Sequence, residues 1–254
     1  FQLGYFLILI LIFSCSPSEP ELHSQECSDE VECSGSDYNC GDLTVLQQFI
    51  NLNSQNFKHF LDTNEDGCIH PLEFGNQNWS NNRLISLDLN YHEDEITDPD
   101  NPTQLDPQNY RLTLIPDDIG DLDALEILKL NDNEFISLPN KIGDLTELKH
   151  LELENNFLTA LPVNIGNLIN LEQLVLNFNH IDNLPGTIGG MVSLKKLWVH
   201  HNLLENIPET IGNLTELELL YLNNNFLVTI PGSIGDLSSL QFLNLNYNTL
   251  ISLP

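Results

Sequence analysis

Residues 138–161 read LPNKIGDLTELKHLELENNFLTAL, and the same frame returns every 23 residues. A proline recurs at 116, 139, 162, 185, 208, 231 and 254 without a slip in spacing. An Ile-Gly pair follows each of the first six, at 119–120, 142–143, 165–166, 188–189, 211–212 and 234–235. Leucines stand at fixed offsets, as at Leu145, Leu148, Leu151 and Leu153, and an asparagine closes each unit at 133, 156, 179, 202, 225 and 248. A constant period in the twenties is the mark of a solenoid, because one unit cannot bury its apolar face except against its neighbours. Such a fold offers a long surface rather than a pocket. Binding, not chemistry, is the expected function.

Each part of the unit has a physical reading. Leu151 and Leu153 alternate with polar residues, so they point inward from a short strand. The amide of Asn156 can satisfy backbone groups at the corner and link one unit to the next. Leu-Pro opens the return leg, with φ fixed and no N–H to pair. Ile-Gly-x-Leu then suits a short helical or 3₁₀ segment on the outer side, and the glycine permits a turn or close packing. The run Leu148-x-x-Leu151-x-Leu153-x-x-Asn156-x-Leu158 resembles the leucine-rich repeat signature. Six units carry the full pattern, with Phe135, Met191 and Val199 replacing leucines. The form LPxxIGxLxxLxxLxLxxNxL is similar to the Ras-group subclass, found in intracellular scaffolds and in many bacterial proteins. The resemblance implies an α/β solenoid: a horseshoe with short parallel strands on its concave side, which is where such proteins typically bind. The central concave column would be Lys129, Glu152, Val175, Trp198, Tyr221 and Asn244. Strands lie about 4.8 Å apart, so Val175, Trp198 and Tyr221 form a patch, with Phe178 and His200 nearby, as a candidate partner site.

Upstream the frame degenerates. Leu84, Leu87 and Leu89 fit one more strand, but the continuation returns only at Leu112-Thr-Leu-Ile115-Pro116. An acidic, proline-containing insert at 91–109 accounts for the gap and is expected to be a loop. The divisions expected are a signal-like segment at 1–14, a Cys-rich acidic tether at 15–41, a small helical unit at 42–80, a degenerate first repeat at 81–114, and the repeats proper at 115–254.

Within the helical unit, residues 62–73 read DTNEDGCIHPLE. Asp62, Asn64 and Asp66 stand at positions 1, 3 and 5, Gly67 at 6, Ile69 at 8 and Glu73 at 12, which resembles an EF-hand calcium loop. The resemblance implies that three short oxygen side chains wrap the ion, Cys68 offers its backbone carbonyl, and Glu73 closes the site with both oxygens. FKHFLD before the loop suits an entering helix. After Phe74, the residues Gly75, Asn76, Gln77 and Asn78 are poor helix formers, so the exiting helix is expected to be short or absent.

Residues 1–13, FQLGYFLILILIF, are almost wholly apolar but short of the about 20 residues that span a bilayer. With Ser14-Cys15 they read as the end of a secretory signal. Ile12-Phe13-Ser14-Cys15 also resembles a lipobox, in which Cys15 is lipidated; an ordinary signal and a membrane anchor stay open. Cys27, Cys33, Cys40 and Cys68 suit two disulfides with three possible connectivities. Zinc is the rival, but no CxxC pair is present.

The formal net charge is −29, from 37 acidic residues against 8 basic. Such a field repels nucleic acid and anionic membrane, leaving protein or glycan ligands and divalent cations. Membrane association is expected only through a lipid anchor or the signal segment. No phosphate-binding loop, dinucleotide fingerprint, nucleophile elbow or zinc-protease motif is present, so no enzyme is expected. His200-His201 needs further ligands to hold a metal. The sequence points to an extracellular, lipid-anchored, calcium-binding recognition protein. The alternatives are a structural or adhesive fragment of a larger surface protein, and an intracellular Ras-type scaffold.

Overall fold

The computed structural model describes residues 38–53, 75–90 and 111–254. The calcium-like loop, the insert, the signal-like segment, and Cys15, Cys27, Cys33 and Cys68 lie outside these. One helix, α1 (Cys40–Asn53), precedes an eight-stranded sheet whose strands follow chain order. The strands are β1 (Asn76–Ser80), β2 (Arg83–Asp88), β3 (Ile127–Lys129), β4 (His150–Glu152), β5 (Gln173–Val175), β6 (Lys196–Trp198), β7 (Leu219–Tyr221) and β8 (Phe242–Asn244). From β2 onward all pairing is parallel, and from β3 onward each strand meets the next in the 23-residue register, as Leu151 does Leu174. The result is the expected horseshoe solenoid with its short strands on the concave side.

Among the described residues six 3₁₀ helices run opposite the strands, from Asp117–Asp121 to Gly232–Asp236, each capped by its repeat proline with φ between −67° and −62°. Proline pre-sets the entry, and the carbonyl of each accepts the first 3₁₀ hydrogen bond, as Ile142 N–H donates to Pro139 O at 3.1 Å. The glycine after the isoleucine of the first five units, Gly120 to Gly212, serves packing against the next unit. A Cβ built on Gly143 falls 2.2 Å from Asn164 O of the next unit, and one on Gly166 falls 2.1 Å from Thr187 O. Between strands and 3₁₀ helices runs one continuous apolar core from Val45 to Leu237, in which Phe135, Met191 and Val199 are as buried as the leucines they replace.

The closing asparagines knit the units together. Asn156 Nδ2 donates to Leu130 O of the preceding unit at 2.9 Å and to Leu153 O and Glu154 O of its own at 3.2 Å. Its Oδ1 accepts from Phe135 N–H at 3.1 Å. Asn179, Asn202 and Asn225 repeat the pattern and are buried. The left-handed residue of the corner is the one before each asparagine: Asp132, Asn155, Phe178, His201, Asn224 and Tyr247, with φ from +52° to +60°.

The amino-terminal side is closed by α1 and a hairpin. Leu43, Val45, Leu46, Phe49 and Ile50 of α1 are buried against the first repeats. Asn39 caps the helix by accepting the Asp42 N–H at 3.1 Å. Asp42 is 1% exposed and takes the Arg83 guanidinium through two nitrogens, at 3.0 and 2.9 Å, and the Leu84 N–H at 2.7 Å. That carboxylate, with Asp123 as a second partner, pushes the Arg83 guanidinium above its already high range. At the far end of α1, Asn53 Nδ2 donates to Leu114 O and its Oδ1 accepts from Thr113 N–H, both at 2.9 Å, so the helix docks on the incoming chain as the corner asparagines dock on theirs. Cys40 is disulfide-bonded.

One expectation is corrected here. Residues 76–80 were read with the helical unit, but they form β1, antiparallel to β2. Asn81 and Asn82 have φ of +48° and +64°, as a two-residue hairpin of the type that twists with its strands requires. The poor helix formers of this stretch are therefore strand and turn residues of the sheet.

Candidate recognition surface

The middle leucine of each three-residue strand from β3 to β7 is buried, the first and last residues flank it on the concave side, and the strand register sets them in columns. In the central column Val175 pairs with Trp198 and Trp198 with Tyr221. The Trp198 and Tyr221 rings stack at 6.2 Å and 22°. Tyr221 meets Phe242 of β8 at 4.9 Å and His200 at 6.0 Å. Lys196 Nζ lies 5.9 Å from the Trp198 ring centre, in cation–π range. Phe178 joins from the corner, stacked on His201 at 4.4 Å and edge-on to His200 at 5.7 Å. The surface is thus a continuous aromatic platform on β6–β8.

Val175 departs from the expectation of an exposed patch member. It is only 9% exposed, because its short side chain sits between the larger Glu152 and Trp198 of the flanking strands. It supports the platform's edge and offers little surface. Phe242 was not anticipated, since it occupies the first strand position and not the central column; the signal was its fixed offset of 23 from Leu219. The other half of the concave face is ionic: Lys129 Nζ lies 3.8 Å from Asp88 and 3.9 Å from Glu152. Burial first, and His201 second, holds His200 below the ordinary imidazole range, so it is neutral at pH 7. His200 and His201 gather no third metal-ligating side chain among the described residues. Among those residues, too, no helix is long and apolar enough to cross a membrane.

The calcium-loop residues Asp62, Asn64, Asp66, Cys68 and Glu73 and the lipidation candidate Cys15 lie outside the described residues.

No curated protein matches this sequence. Among solved structures, the chain is similar to an internalin (inlF) from Listeria monocytogenes str. 4b F2365, at 25% identity and a TM-score of 0.52, over 66% of this chain and 43% of that one. It is also similar to a plant peptide hormone receptor, RGFR1, in complex with RGF2, at 30% identity and a TM-score of 0.48, over 56% of this chain and 27% of the receptor. The chain therefore spans less than half the length of either. The family described as leucine-rich repeat region matches residues 164–252. Residues 164–252 are thus a leucine-rich repeat region, and the described fold is the solenoid such repeats build.

Proposed function

We propose that this chain recognises a protein ligand on the concave face of its solenoid, centred on Trp198 and Tyr221, with Val175, Phe178 and His200 at its margin. The observation that carries this is the run of ring contacts Trp198–Tyr221–Phe242 on three neighbouring strands, the first pair stacked and the second tilted. Aromatic side chains held rigidly on regular structure supply large contact area at low entropic cost, and interface hot spots are enriched in them. His200 Nδ1 and Asn223 Oδ1 are buried without a partner among the described residues. Orphaned polar atoms beside such a platform support a site that gains hydrogen bonds when occupied. Trp198→Ala is expected to weaken the ligand by about 2 kcal/mol, roughly 30-fold, with unchanged circular dichroism. Full affinity in the folded variant, measured by interferometry, contradicts the reading.

Calcium binding by residues 62–73 belongs to the same proposal. The donor set is all oxygen, from Asp62, Asn64, Asp66, the Cys68 carbonyl and Glu73, which suits a hard cation. A single loop belongs to the weak end of the range, with Kd on the order of 10⁻⁴ to 10⁻³ M. That range is saturated outside cells and not within them, which fits an extracellular setting; the apolar segment at 1–13 and the disulfide at Cys40 support that setting, and Cys15 is the residue that would carry a lipid. Calorimetry with calcium is expected to show heat that Asp62→Ala and Glu73→Ala abolish. An absence of heat at millimolar calcium refutes the site.

A further inference from the structure

A second surface runs along the corner of the solenoid, one step around from the concave columns. The residue after each buried asparagine points outward: Glu134, Phe157, His180, Leu203, Phe226 and Thr249. These positions stack in register, because each N–H donates to the preceding corner, as Phe157 does to Phe135 O, Leu203 to Ile181 O and Phe226 to Leu204 O, all at 2.9 Å. Phe157, Leu203 and Phe226 are 43%, 41% and 53% exposed, and Phe178 of the left-handed column beside them is 45% exposed. Phe157 stacks on His180 at 5.8 Å, and Phe178 on His201. Four large apolar side chains on four consecutive units make a stripe, not scattered exposure.

Two features say what the stripe takes. The first is charge. The corner segments, from the residue after each strand through the fourth residue past each asparagine, carry Asp132, Glu134, Glu154, Asp182 and Glu205 and not one lysine or arginine. The few basic residues of the repeats stand elsewhere, with Lys149 and Lys195 paired to Glu126 and Glu172. An acidic rim with no internal cation repels a second copy of a chain this negative and favours a cationic segment. The second is backbone conformation. Phe178 and His201 adopt φ of +56° and +52° where Asn155 and Asn224 hold the same place at +54°. Asparagine tolerates that region and bulky residues do not, so the aromatic there is retained against local preference.

We infer that this corner stripe, Phe157–Phe178–Leu203–Phe226, binds a peptide segment that carries apolar side chains interspersed with lysine or arginine. It meets the Trp198–Tyr221 platform only at Phe178, which touches His200, and its other three members stand apart from it. The probe is a synthetic peptide repeating Lys-Phe-Ser, compared with one carrying Glu for Lys and one carrying Ser in place of Phe, by fluorescence anisotropy on the full chain. The Lys-Phe peptide is expected to bind, and the other two at least tenfold more weakly or not at all. Phe226→Ser and Phe178→Asn are each expected to weaken it roughly tenfold, while Trp198→Ala leaves it unchanged. Phe178→Asn is also expected to raise the urea midpoint, which separates lost binding from lost folding. Failure of the Lys-Phe peptide to bind, equal binding of the Ser-substituted peptide, or unchanged affinity in both corner variants overturns the inference. Loss in Trp198→Ala alone overturns it in favour of the concave face.

Discussion

Asn179→Ala is expected to destabilise the solenoid by about 2–4 kcal/mol, read as a fall in the urea midpoint by far-ultraviolet circular dichroism. Asn179 is 5% exposed, and its amide donates to Leu153 O at 2.8 Å and Leu176 O at 3.0 Å, while its Oδ1 takes the Leu158 N–H at 2.9 Å. Alanine orphans the buried Leu158 N–H, at a cost of about 1–3 kcal/mol, and strips one amide donor each from Leu153 O and Leu176 O, which keep Asn156 and Asn202. Water reaching the corner recovers part, which sets the lower bound. The lesion also lies mid-array, where stability passes only between neighbours. Asn179→Asp keeps the acceptor for Leu158 but turns a carboxylate toward two carbonyls, so it is expected to fail as a rescue. A midpoint within experimental error of the parent contradicts the role assigned to the asparagine ladder.

Gly166→Ala is expected to cost about 2–3 kcal/mol, at the upper part of the range for overpacking a tight contact. The added Cβ would lie 2.1 Å from Thr187 O and 2.8 Å from Thr187 C and Cβ, so adjacent 3₁₀ helices must part. Gly232→Ala is the control. Nothing lies within 4 Å of a Cβ there, and the effect is expected within about 0.5 kcal/mol of zero. Thermal melts of the pair check both. Equal melting temperatures would show that the glycine is not what allows the 3₁₀ rows to close up.

The parts of the fold that repeat were legible, since any position whose neighbour is itself 23 residues on can be read by offset. Leucine burial, the strands, the 3₁₀ segments and the linking asparagines are of that kind. The amino-terminal closure is not: Asp42 and Arg83 are 41 residues apart and outside the period, so no spacing relates them. The Asn81-Asn82 hairpin carries a local signal, two residues that tolerate positive φ, but it sits outside the 23-residue frame. At the concave face the columns gave adjacency but not depth, so the cover over Val175 depended on the sizes of Glu152 and Trp198. The corner stripe was within reach of the same offsets, at one residue past each asparagine.

Oxidative footprinting of the chain, free and bound to the protein it captures, tests the central reading most directly, because it reports side chains and not backbone. The prediction is that Trp198, Tyr221 and Phe242 are labelled in the free chain and protected in the complex, while Val163, Ile169 and Val192, exposed away from the concave strands, label alike in both. Equal labelling of Trp198 and Tyr221 in the two states would contradict recognition through the concave face.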